Sequence, residues 1–432
     1  MFRLILLFIT ITISWGANAT PPLPLSLKDA IQMAKEKSVN VIVANERVQQ
    51  ALARLSQTRS VLLPQIDGVV LEQRKTVNLN AQGITIPGQS GVVGPFDAFD
   101  ARAKLTQTIF DLSAIERLRQ SKAGQGISEA EATKAKQDAM ALVATLYIEA
   151  KRAHDGIQMA TTLLRRDEEN FKLTTTQFKL GTGSDVAVKQ AEAFLAESRH
   201  RLEKAKATAL ERRLDFSASL SIPSDQPILF SEGNLPTLKT FPSENEIAET
   251  TATHPDVALA QENLKQRNID KTVEVAWFVP KITGNADYGN IGRHVLHTDG
   301  TYTLGVQLSI PIFDSGLKSG KYREASSRFR ESEATLNDVK QHVTANALSA
   351  KETVKQTEAL VAASKTKKGV AVKERMLVQQ RVETGIGSRL ELVVATANEA
   401  IATDGEYEAL ATHHIAQINL AHAMGNMEAL CR

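Results

Sequence analysis

The densest group of metal-ligand side chains lies near the C-terminus, where Glu406, Glu408, His413, His414 and His422 fall within 17 residues. Imidazole and carboxylate together could hold a divalent transition metal. The spacing argues otherwise, because no His-Glu-x-x-His stretch places two imidazoles on one helical face. Gly181-Thr182-Gly183-Ser184 has the glycines of a phosphate cradle but lacks the Gly-Lys-Ser/Thr that would complete it. No Ser-His-Asp or Cys-His arrangement stands out. The one cysteine, Cys431, allows neither an intrachain disulfide nor a thiolate cluster. No catalytic residue, cofactor or metal is expected, and His294 and His297 are expected to be solvated in a loop. What remains is charge beside glycine. Asp185 follows the first Gly-x-Gly-Ser; Arg381, Glu383, Arg389 and Glu391 flank the second, Gly385-Ile386-Gly387-Ser388. Carboxylates at helix starts are favoured by the dipole alone. Multiplied by symmetry, the same charges could ring an opening.

These glycines need helices on both sides. Gly ends a helix and Ser begins the next, so 181–184 and 385–388 are predicted tips of antiparallel hairpins. Proline placement agrees: none of the 13 prolines lies between 96 and 222 or after 311. An interior proline costs a helix about 3 kcal/mol, so long proline-free stretches favour long helices. From Phe110-Asp111 to about Leu180 the helix would be roughly 100 Å long at 1.5 Å per residue. The steps of 3 and 4 run Met140, Val143, Tyr147, Ala150, His154, Ile157, Thr161, Leu164, Glu168, and then Val188, Ala191, Leu195, Ser198, Leu202. Many of these positions are small or polar, which suits a wall of laterally packed helices better than a two-stranded zipper.

The chain is duplicated. Val41 to Gly68 matches Val257 to Gly284 at a shift of 216, including Pro64/Pro280 and Gly68/Gly284. Leu105, Phe110 and Asp111 match Leu308, Phe313 and Asp314 at 203, and the Gly-x-Gly-Ser tips match at 204. Each half reads helix, strand, loop, strand, long helix, tip, long helix. The first helix is predicted over about 26–61, strands over about 65–74, 98–109, 281–289 and 301–311, and loops over roughly 76–96 and 290–300. The strands alternate: Phe99, Ala101, Ala103 and Leu105 against Asp100, Arg102 and Lys104; Tyr302, Leu304, Val306 and Leu308 against Thr303, Gly305 and Gln307. One apolar and one charged face suits a membrane strand lining a wet lumen.

Arg3, the apolar run from Leu4 to Trp15 and Ala17-Asn18-Ala19 make residues 1–19 an export signal. Beyond it no apolar run reaches the roughly 20 residues of a transmembrane helix, so any span must be made of strands. With 51 Lys+Arg against 49 Asp+Glu, the chain lacks the basic excess of a nucleic-acid binder.

Export signal, tandem duplication, a helix ending before Pro64 or Pro280, Phe-Asp after a second strand, and a Gly-x-Gly-Ser tip occur in the same order twice. In this the chain resembles the TolC-like outer membrane efflux protein family across its whole mature length. The resemblance implies a mainly α fold with a small transmembrane β portion. In a homotrimer, four strands per protomer close a twelve-stranded β-barrel, continued by long antiparallel helical hairpins as an α-barrel. The repeats would be 20–221 and 243–424, with a Pro-rich linker over 222–242 at the equator and a tail over 425–432.

The resemblance also implies a location in the Gram-negative outer membrane, reaching into the periplasm. It implies a passive exit duct for tripartite efflux or type I secretion, with a periplasmic adaptor and an inner-membrane efflux pump or ABC exporter as partners. Asp100, Arg102, Lys104 and Gln307 would face the barrel lumen. Gly181, Gly183, Ser184, Gly385, Gly387 and Ser388 would be adaptor-docking tips. Asp185, Arg381, Glu383, Arg389 and Glu391 would form the gate. Glu391 fits the family's first acidic entrance position, whereas the second falls on Val394. The competing expectation is a soluble periplasmic coiled-coil adaptor or scaffold.

Overall fold

The computed structural model describes residues 21–84, 87–88, 91–230 and 243–431. The expected export signal over 1–19, residues 231–242 of the expected linker and part of the expected first loop therefore lie outside the described residues. The first repeat runs β1 (Leu23–Leu25), α1 (Leu27–Lys37), α2 (Val39–Ser60), β2 (Gln65–Asn78), β3 (Val92–Phe110), α3 (Leu112–Lys179) and α4 (Asp185–Ser219). After β4 (Ile228–Phe230) the second runs α5 (Glu244–Ala252), α6 (Pro255–Ala276), β5 (Lys281–His294), β6 (His297–Ser309), α7 (Leu317–Glu383) and α8 (Arg389–Ala423). Helices α3 and α7 have 68 and 67 residues, while α4 and α8 both have 35. No helix among the described residues is long and apolar enough to cross a membrane.

The single helix expected over 26–61 is two helices. Ser38 takes an extended conformation (ψ 130°) and separates α1 from α2. The second repeat breaks at the matching place, where Pro255 opens α6 behind His254. All four β segments run longer than expected at their outer ends. The loop expected over 290–300 is mostly strand, and only Val295 and Leu296 turn between β5 and β6. The seam of α4 holds, with Ala191, Leu195 and Ser198 buried. That of α3 slips by one position after Ala150, because Ala160, Leu163 and Asp167 are buried in place of Thr161, Leu164 and Glu168.

The sheet order is β2-β3-β5-β6, antiparallel throughout, so the hairpins of the two repeats join through β3 and β5. Both edges, β2 and β6, are free in the protomer. The largest core lies along the middle of the helices, away from both the sheet and the tips. Leu25, Ile31, Met140, Tyr147, Phe216, Ile418 and Met427 meet there, and β1 pairs in parallel with β4 across it. Tyr147 stacks edge-on against Phe216 and Phe230 at 5.7 and 5.3 Å, and its hydroxyl donates to Leu25 O at 3.0 Å. This core joins the N-terminal strand, the first linker residues and the C-terminal turn to the helical wall.

Candidate functional site: hairpin tips and the two-faced sheet

The two tips share one backbone design. Helix α3 ends at Lys179, and Gly181 adopts φ +74°; α7 ends at Glu383, and Gly385 adopts φ +78°. A side chain at either position would strain the left-handed backbone. Gln177 O then accepts from Thr182 N and Gly183 N at 2.9 and 3.1 Å, and Arg381 O from Ile386 N and Gly387 N at 2.9 and 2.8 Å. These bonds satisfy carbonyls a helix end otherwise orphans. Gly183 and Gly387 are glycine for a different reason. A methyl there would sit 2.9 Å from Phe178 N or 3.0 Å from Val382 N. Ser184 Oγ accepts from Ala187 N at 3.2 Å and Ser388 Oγ from Glu391 N at 3.1 Å, restarting each chain as α4 and α8.

The expected gate charges are exposed and divide into separate links. Arg381 reaches Glu391 across its own hairpin at 3.9 Å. Arg389 instead reaches Glu169 of α3 at 3.7 Å, tying the second hairpin to the first. Glu383 accepts from Gln379 Nε2 at 3.0 Å, and Asp185 faces Lys189 one turn along α4. Arg389 and Glu169 also border a shallow cavity of about 220 Å³ with Leu173 and Val393. Glu169 was not foreseen, nor was Glu399, which binds Arg375 three turns behind the tip.

The register decides the sheet's faces, because directly paired residues project to the same side. Lys104 is opposite Asp67 on one side and Asp287 on the other, Arg102 opposite Val69 and Gly289, and Asp287 opposite Thr303. Asp100, Arg102, Lys104 and Gln307 consequently share one face. Arg102 binds Asp100 at 2.7 Å and Asp287 at 2.9 Å. The other face carries Ile66, Val70, Leu304 and Val306, which are 73, 73, 80 and 72% exposed. Tyr288 and Tyr302 are directly paired on it.

The C-terminal histidines and carboxylates are not brought together. Glu406 pairs with Lys368 at 2.7 Å and Glu408 with Arg152 at 2.7 Å. His413 lies 3.0 Å from Thr357 Oγ1, and His422 lies 2.8 Å from Asp138. His254 accepts at Nδ1 from Asp256 N (3.1 Å), which leaves Nε2 to donate to His422 O at 3.2 Å and lock α6 to the end of α8. Burial pushes the pKa of His254, His413 and His414 down. His294 and His297 are paired across the outer hairpin end and exposed.

Long helical hairpins that carry an open sheet with one apolar and one charged face define the protomer of an outer-membrane channel. Residues 30–220 and 247–426 match the outer membrane efflux protein family, and the chain belongs to it. The solved outer membrane channel CmeC of Campylobacter jejuni is similar at TM-score 0.79 and 17% identity, over 93% of this chain and 86% of CmeC. The outer membrane protein VceC of Vibrio cholerae gives 0.75 at 16% identity, over 93% of this chain and 96% of VceC.

Among curated proteins, the alkaline protease secretion protein AprF of Pseudomonas aeruginosa is 26% identical over 257 residues. That is 56% of this chain and 52% of AprF. The pyoverdine export outer membrane protein OpmQ of Pseudomonas putida is 22% identical over 314 residues, 70% of this chain and 64% of OpmQ. The matched region thus spans about half to two thirds of the length of these relatives.

Proposed function

We propose that the protein is a passive exit duct of the Gram-negative outer membrane, a homotrimer that receives cargo from an inner-membrane pump through a periplasmic adaptor. The observation that carries this is the sheet. Its apolar face is too exposed for a soluble protein of this size, while its opposite face is charged and internally paired. Lipid covers the first, and water in a lumen fills the second. Three copies would join free β2 and β6 edges and close twelve strands, removing edges that a membrane does not tolerate. The duct supplies no chemistry, and the energy comes from the pump. The hairpin tips, with Gly181, Gly183, Ser184, Gly385, Gly387 and Ser388 at their ends, form the periplasmic entrance and the adaptor's docking points. Asp185, Arg381, Glu383, Arg389 and Glu391 set its charge.

A soluble coiled-coil adaptor would share the hairpins but has no use for the two-faced sheet. Cell fractionation separates the two. The duct is recovered from the outer membrane with detergent, as an assembly of three chains. Recovery in the soluble periplasm without detergent would overturn the proposal.

A further inference from the structure

The two hairpins are secured differently at the middle of the wall. The end of α4 is held by apolar packing, with Phe216 and Leu220 in the main core. The end of α8 also touches that core, but titratable side chains tie it to two further helices. His422 Nε2 lies 2.8 Å from Asp138 of α3, and the His422 carbonyl accepts from His254 Nε2 at 3.2 Å. The same imidazole is the N-cap of α6, its Nδ1 accepting from Asp256 N at 3.1 Å. Asp256 in turn pairs with Lys134 of α3. Gly425, at φ +68°, brings the end of α8 so near that a methyl on it would lie 2.7 Å from Pro255 Cδ. Helices α3, α6 and α8 thus converge on one buried ring.

Both nitrogens of that ring are engaged, and the pattern requires the neutral imidazole with its proton on Nε2. A second proton would have to sit on Nδ1, which faces an N–H donor. The nearest carboxylate oxygen, Asp256 Oδ2, is 3.7 Å away, and Lys134 already holds that carboxylate. The new charge would also be buried at the positive end of the α6 dipole. Burial is the chief reason that the pKa of His254 is pushed down. The charges of His422 and Lys134 push the same way, against the His422 carbonyl and Asp256. Asp138 behaves differently. Its bond to His422 holds it below the usual carboxylate range, so that tie persists in acid.

We propose that His254 is a proton-operated clasp at the middle of the helical wall: neutral, it holds the start of α6 to the end of α8, and protonated, it lets go. The release is one-sided, because Asp138 keeps His422 on α3. It is also confined to the second repeat. At the shift of 216 His254 corresponds to Ser38, and at 204 His422 corresponds to Ala218, neither of which titrates. The clasp lies within a single protomer and goes beyond the duct proposed above. In that duct, acid would loosen the wall where α6 leaves for the sheet and α8 arrives from the tip.

A released imidazole takes up its proton near pH 6.5. The closed clasp excludes that proton, so its stability is complete above this pH and is lost as pH falls. Between pH 7.5 and 5.5 the open-to-closed ratio should rise by up to about tenfold. Amide exchange of the full-length protein in detergent, corrected for the intrinsic rate at each pH, reads this locally. Asp256 N donates to the His254 ring, and Ala258 N donates to the His254 carbonyl at 2.9 Å. The matched control is Val41 N and Ile42 N, which donate to Ser38 O at 3.0 Å. Protection over 256–260 is expected to fall by up to about tenfold on acidification, and over 40–44 by less than about twofold. In His254→Asn, whose side chain can still cap α6 but takes no proton, the fall should vanish. In Lys134→Met, which leaves Asp256 free to accept from a protonated ring, it should shrink. No fall in the wild type, an equal fall in both repeats, or a fall that persists in His254→Asn overturns the clasp. Each of these leaves the duct standing, since fractionation and the count of chains test that separately.

Discussion

If the tips close the duct, weakening their ion pairs should open it. The structure supplies two such pairs per protomer, Arg381–Glu391 at 3.9 Å and Arg389–Glu169 at 3.7 Å. Their side chains are 38–81% exposed, so each belongs with surface pairs worth about 0–1 kcal/mol. At about 0.5 kcal/mol each, a trimer would hold roughly 3 kcal/mol in its closed end if all tips move together. At about 1.4 kcal/mol per tenfold, Arg381→Gln with Arg389→Gln should raise the open-to-closed ratio about a hundredfold. The assay is conductance in a planar bilayer. Arg389→Gln alone and Glu169→Gln alone should act alike and not add, because each breaks the same pair. Raising salt from 0.1 to 1 M shortens the Debye length from about 10 to 3 Å, so the wild type should approach the double variant. Equal low conductance for wild type and double variant at both salts would refute the electrostatic closure. A double variant that opens while the wild type ignores salt would show that packing, not charge, holds the tips.

The tip glycines should separate by mechanism. Gly181→Ala or Gly385→Ala, with nothing within 4 Å of the new methyl, should cost about 1 kcal/mol through the backbone alone. Gly387→Ala should cost more, because its methyl must displace backbone; thermal melts followed by circular dichroism rank the three. The depressed histidines predict acid sensitivity. His254, His413 and His414 stay neutral in the fold, whereas the unfolded chain takes up protons near pH 6.5. Their stabilisation is therefore complete above that pH and is lost as pH falls toward the lower folded values, so the melting temperature should drop between pH 7.5 and 5.5. His254→Asn should flatten that slope, and an unchanged slope would acquit the α6–α8 lock. In the sheet, Arg102→Met should lower the dissociation temperature of the proposed assembly by removing the partner of Asp100 and Asp287. Asp287→Asn in the same chain should recover part of the loss.

What could be foreseen was what the backbone decides locally. A glycine at a helix end and a serine three residues later satisfy the same orphaned groups wherever they occur, and both tips follow from that alone. The strand faces were legible too, since alternation needs no knowledge of the partner strand. The break at Ser38 was legible in principle and missed. Its repeat-mate His254 stands before Pro255, so the duplication already carried the signal. The outer turn Val295-Leu296 was not legible, because two exposed apolar residues carry none of the Asn or Gly marks of a tight hairpin. The Arg389–Glu169 pair lay beyond reach for another reason. Nothing local to either residue says which neighbouring hairpin it will meet. The slip in the α3 seam is of the same kind, since α3 packs against both α4 and α8 and Asp167 is buried against Ser198 of α4.

Equivalent sequences in unequal surroundings also bear on how the molecule becomes stable. Helix α3 is flanked by α1, α2, α4, α6 and α8, whereas α7 packs mainly against α5, α6 and α8. The main core, with Tyr147, Phe216 and Ile31, is built largely by the first repeat and sealed by the ends of α8 and the C-terminal turn. The helices of the first repeat thus find most of their neighbours within one chain. The second leaves Ile312 and Phe313 uncovered where the chain passes from β6 to α7. Burying a large apolar side chain stabilises by about 1.5–3 kcal/mol, so these two together are a sizeable fraction of the stability of a domain. The second repeat should accordingly gain most of its order on assembly. Amide exchange in it, and above all at the outer positions of α7, should slow markedly from monomer to trimer, while exchange around Tyr147 changes little.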